Sequence, residues 1–103
     1  MALTHRQAVL LISEMRRVLE SATLAAHADG LTTEQSVAMI LATSHLRDAY
    51  NLLARDILRE HPLLIGDVEC AGLQVIQGDR RRAESMRAAQ AKRVAENFGK
   101  EAV

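Results

Sequence analysis

Residues able to carry acid–base, nucleophilic or metal chemistry are few in this chain and widely spaced. The four histidines, His5, His27, His45 and His61, are separated by 22, 18 and 16 residues. A helix-borne zinc site of the HExxH kind needs two imidazoles four residues apart on one face, so no metal site is expected from them. His5, His27 and His61 instead fall near expected helix ends, where an imidazole can satisfy terminal carbonyls. Ser44-His45 followed by Asp48 supplies the residue types of a hydrolytic triad. Three near neighbours on one helix cannot converge on a nucleophile in the required order, however. Cys70 is the only thiol, and Asp67 and Glu69 beside it disfavour a thiolate, so a small buried apolar role is expected for it. Gly66, Gly72 and Gly78 recur every six residues but match neither GxxxxGKS/T nor GxGxxG, which leaves no phosphate loop. No catalytic, cofactor-binding or metal-binding set is therefore assigned.

Cations carry the strongest pattern. Arg80, Arg81 and Arg82, followed by Arg87, Lys92 and Arg93, suit phosphate contacts or an acidic protein surface. Glu84 and Glu96 interleave with them, and Arg80 can pair with Glu84 one turn on, which is equally the pattern of a solvated face. Arg47, Asn51, Arg55 and Arg59 line one ridge at i,i+4 spacing, able to clamp a small anion or to remain solvated. His45 and Asp56, three turns apart, project into an apolar arc of the same helix, where polar groups need partners. They mark either a ligand groove or a hydrogen-bonded pair reaching across an interface.

Composition narrows the function classes. A chain of 103 residues forms one domain with one modest core. Its 49% apolar and 25% charged content is that of a globular protein. Tyr50 and Phe98 are the only aromatic residues and tryptophan is absent, leaving little with which to stack on bases or sugars. Net charge is zero, so no overall field steers the chain to DNA or an anionic membrane. The balance conceals an asymmetry: residues 1–78 hold six Arg against nine acidic residues, and residues 79–103 hold seven basic against four acidic. A lone cysteine fits a reducing compartment. No signal-peptide pattern opens the chain, and the apolar run at residues 8–12 is far below the roughly 18 residues of a spanning helix, so a cytoplasmic protein is expected. Eleven Arg against two Lys, with seventeen Ala, is the usage of GC-rich coding such as that of bacteria or phage.

These residues must be positioned by helices. Thr4 is a good N-cap for a helix over about 5–28, stopped by Asp29-Gly30. Ala8, Leu11, Ile12, Met15, Val18, Leu19, Ala22, Ala25 and Ala26 share an arc of about 140° on it. Thr32-Thr33-Glu34-Gln35 has the form of a capping box for a second helix over 33–60, stopped at His61-Pro62. Its stripe of Met39, Ala42, Leu46, Ala49, Tyr50, Leu53 and Ile57 is widened by Leu41 and Leu52 to roughly 180°, more than one neighbour covers. Residues 62–79 read as helix from about 67, with short strands at 63–66 and 73–77 as the alternative. A third helix is expected over 67–98, kinked or broken at Gly78-Asp79, with Asp79 capping the second part. It carries a thin stripe of Ala83, Met86, Ala89 or Gln90, Val94 and Phe98, suited to docking on another subunit.

The expected fold is all-α: a long antiparallel helical hairpin plus this third helix, a three-helix bundle that assembles as an oligomer. The expected function is that of a non-enzymatic interaction protein, of adaptor or inhibitor type, that self-associates as a homodimer or larger and binds a protein partner. Leu41, Leu52, Asp56 and Phe98 are its expected interface residues, and His45 and the arginines its partner or ligand contacts. The alternative is a bundle binding a small anionic ligand or nucleotide at a subunit interface. Nucleic-acid binding through the basic C-terminal helix ranks below both, and no cofactor is expected.

Overall fold

A computed structural model describes residues 2–101, with side chains through Phe98. Four α-helices follow one another, α1 (His5–Ala26), α2 (Thr33–Glu60), α3 (Ile65–Cys70) and α4 (Gln77–Glu101), with a 3-10 turn at Pro62–Leu64 between α2 and α3. No strand forms among the described residues, which settles the ambiguity at 63–66 and 73–77 against strands. No described helix is long and apolar enough to cross a membrane.

The helices α1 and α2 begin as their sequences dictate. Thr4 Oγ1 accepts from the Gln7 amide at 3.1 Å while the Gln7 side chain accepts from the Thr4 amide at 2.9 Å. Thr32 and Gln35 repeat the arrangement at 3.1 and 3.0 Å. Each reciprocal pair satisfies two donors that a helix start otherwise leaves unbonded. α1 stops at Ala26, two residues before the expected end, because its last turn tightens: the His27 and Ala28 amides bond back three residues to Leu24 and Ala25. Gly30 then takes the positive φ of 88° that lets the chain reverse.

The third helix is two helices, and it is interrupted six residues earlier than expected. Gly72, at φ 76°, ends α3. Its amide bonds to the Glu69 carbonyl at 2.9 Å and that of Leu73 to the Val68 carbonyl at 3.2 Å. This double closure satisfies the last carbonyls of α3, with Leu73 and Val68 both buried beside it. Gly78 lies within the first turn of α4, where it interrupts nothing, and Asp79 sits in that turn rather than capping it. Between the two helices the Gln74 amide donates to Asn51 Oδ1 at 2.9 Å, tying the connection to mid-α2.

The core lies at one end. Ala8, Ile12, Met15 and Leu19 of α1 and Ala54, Ile57 and Leu58 of α2 meet Leu64, Ile65, Val68, Ala71, Leu73 and Ala83. His61 fastens this end: its Nε2 lies 2.8 Å from the Leu3 carbonyl ahead of α1, with the His5 ring edge-on to it at 6.0 Å. On α2 the buried face is rotated from the expected stripe. Ala42, Ala49 and Leu53 are exposed, and Thr43, Ala54 and Leu58 are buried in their place. The elements that meet α2 besides α1 are the 3-10 turn, α4 and the connection at Gln74, and they lie on the side of Asn51 and Leu58. Thr43 tolerates burial because its hydroxyl donates to the Met39 carbonyl at 2.8 Å.

From Asn51, α4 runs alongside the C-terminal part of α2 and passes its end, bringing Met86 next to His61 and Pro62. Glu84 and Arg87 still line a small cavity with Ile65 and Gly66 of α3, and from residue 88 to 98 every described side chain is exposed, this last part of α4 projecting beyond the hairpin. The molecule measures 71 × 25 × 23 Å with a radius of gyration of 18.7 Å, well above the roughly 13 Å of a compact chain of this length.

Candidate interaction site

Because α3 stops at Cys70, it covers only the half of the hairpin nearest His61. Beyond Ala71 the seam between α1 and α2 is an open groove. One cavity of about 370 Å³ is lined by Leu19, Glu20, Thr23, Leu24, Arg47 and Ala71. A second of about 230 Å³ continues it toward the turn along Ala26, Ile40, Thr43 and Ser44, with Thr23 and Arg47 common to both. The floor is apolar and the polar groups stand at the edges. Leu24 is 76% exposed and Ile40 48%, and Val37 and Leu41 extend the apolar surface outward from Ile40. Helix faces of this kind are normally covered by a third element.

The expected contact residues fall into three groups. Arg47 alone reaches the groove. Arg55, His45, Asp56, Leu41 and Leu52 occupy the outward face of α2 and are all exposed. Neither α3 nor α4 covers that flank. Asp56 lies 3.6 Å from Arg59, and His45 is not brought to it. The arginines at the start of α4 are divided: Arg80 pairs with Glu69 on α3 and shares a small cavity with the exposed Arg87, Arg82 donates to the Arg59 carbonyl at 3.4 Å, and Arg81 faces solvent. Phe98 stands on the projecting part of α4, 67% exposed.

The Arg17 guanidinium holds the Glu14 carboxyl below its usual range and is itself raised by it, and Arg16 is raised by its bond to Glu20. Glu20 Oε1 accepts from Arg16 Nε at 3.0 Å on the rim of the groove. No group of three or more His, Cys, Asp or Glu comes together to hold a metal among the described residues. Cys70, in the last turn of α3, is exposed, contrary to the buried role expected of it.

Thr23, Leu24 and Ile40 are the groove residues that sequence reasoning passes over. Their signal is faint: Leu24 and Ile40 lie off the main stripes, where an isolated apolar residue is unremarkable. No family model matches the chain, and no curated protein or solved structure shows significant similarity to it.

Proposed function

We propose that this chain is a non-enzymatic helical interaction protein, an adaptor or inhibitor that self-associates and presents a helical surface to a protein partner. The observation that carries the proposal is the seam left open over half the hairpin, lined by the exposed Leu24 and Ile40. Continuous apolar surface of this kind on a small domain is a contact surface or a liability to aggregation. The outward face of α2, with Leu41 and Leu52 exposed beside His45 and Asp56, offers a second surface on the same helix. Sedimentation across a concentration range is expected to show species heavier than the monomer. Affinity capture with the wild type is expected to recover a partner that the Leu41→Asp/Leu52→Asp variant loses. A monomer at all concentrations that retains nothing above control would refute the proposal.

A second reading, a small anionic ligand, rests on Arg47, the one basic side chain shared by both cavities. A volume of about 370 Å³ falls in the range of small-molecule sites. Ligand at 100 times its dissociation constant adds about 2.7 kcal/mol of stability. A thermal shift with one member of a nucleotide and phosphate panel, lost in Arg47→Ala, supports this reading; no shift across the panel ends it.

A further inference from the structure

We infer that the open groove is filled by the projecting half of α4 from a second copy, and that the exchange is reciprocal. The inference rests on the self-association just proposed and names the two surfaces that carry it. Three observations lead to it. First, the α4 face that buries Asp79 and Ala83 in its own chain continues as Met86, Gln90, Val94 and Phe98, helix neighbours three to four residues apart. Within its own chain this stripe runs past the end of the bundle, leaving Val94 53% and Phe98 67% exposed.

Second, the charges are complementary. Residues 19–49, the open end of the hairpin, carry Glu20, Asp29, Glu34 and Asp48 against Arg47 alone, a net of −3. Residues 87–98 carry Arg87, Lys92 and Arg93 against Glu96 alone, a net of +2. The exceptions also match, since Arg47 lines the groove and Glu96 is the one carboxylate among residues 87–98. Opposed patches of this kind fix register and orientation.

Third, lengths and placement close the arrangement. The uncovered part of α2, residues 33–47, and the projecting part of α4, residues 87–101, each span about 21 Å at 1.5 Å per residue. They lie at opposite ends of the molecule. Two antiparallel copies, set side by side with their full 71 Å lengths in register, bring each projecting helix level with the other's groove. Both contacts form at once around one two-fold axis, so the assembly closes at two copies instead of growing head to tail.

The chain lacks tryptophan, so Phe98→Trp supplies a single reporter on the docking face. Its emission is expected to shift to shorter wavelength as concentration rises, in step with conversion of monomer to dimer in sedimentation. Adding Leu24→Asp in the groove is expected to raise the dissociation constant at least ~30-fold, the loss typical of an interface anchor. Leu24 is exposed in the single chain, so far-UV circular dichroism of the dilute variant reports an unchanged fold. Leu52→Asp, on the outward face of α2, is expected to leave the dimer intact. A dimer of the Phe98→Trp variant whose emission remains that of a solvent-exposed indole overturns the inference while self-association stands. So does dissociation by Leu52→Asp and not by Leu24→Asp. Growth beyond two copies overturns the reciprocal form. A wild type monomeric throughout removes the inference and self-association together.

Discussion

Leu58 and Leu52 stand six residues apart on α2, the first fully buried and the second 64% exposed. Truncating each to alanine separates the core from the rest of the apolar surface. Leu58 belongs to the cluster joining α1, α3 and the start of α4, and a buried Leu→Ala change costs roughly 2–5 kcal/mol in lost transfer energy and residual cavity. With about 3 kcal/mol lost from a domain worth roughly 5–15 kcal/mol, the midpoint of thermal unfolding should fall by about 12–24 °C. Leu52→Ala should stay within about 0.5 kcal/mol of the wild type, as surface changes do. Urea titration followed by far-UV circular dichroism, at one fixed low protein concentration so that mass action does not shift the midpoint, measures both. A loss below about 1 kcal/mol for Leu58→Ala, or an equal loss for Leu52→Ala, would show that the core is not at this end of the hairpin.

Local geometry sets the remaining outcomes. Gly72→Ala forces a side chain into the left-handed region and should destabilise by about 1–2 kcal/mol. Gly66→Ala, inside α3 with open space around the added methyl, should stabilise by up to about 1 kcal/mol, and paired urea titrations read the difference in sign. His61→Ala removes the contact to the Leu3 carbonyl and should cost about 1 kcal/mol. Hydrogen exchange should then speed up in the first turn of α1; equal rates in both proteins would count against the tether. Glu14, held below its usual range by Arg17, contributes stability present above its unfolded-state value and lost as pH falls through its folded-state value. The pair is exposed, so the acid-side difference between wild type and Glu14→Gln should be small and should disappear in high salt.

Helix starts are legible because their signal is local: Thr4 with Gln7 and Thr32 with Gln35 are complete capping devices within four residues. Pro62 likewise ends α2 by its own chemistry. The break before α4 falls at a different glycine from the expected one because glycine's helix cost is the same at Gly72 and Gly78 when taken alone. What selects Gly72 is tertiary: Leu73 turns inward onto the core, and Asn51, over twenty residues away, holds Gln74. The apolar arc of α2 is indeed wider than one neighbour covers, and Leu41 and Leu52 remain exposed. Which part of that arc is buried depends on the side taken by the 3-10 turn and α4, and periodicity within α2 carries no information on that. The groove is illegible for the same reason, since it exists only where α3 ends.

A core gathered at one end also grades the molecule's cooperativity along its length. Around Ala8, Ile12 and Met15 an amide should exchange only when the whole cluster opens, whereas near Leu24 and His27 few buried contacts resist separation of the two helices. Opening free energies should therefore decline along α1 from the His61 end to the turn. The half of the hairpin that offers its seam to another molecule is the half that can loosen without unfolding the rest, and an occupant of the groove would slow exchange there first.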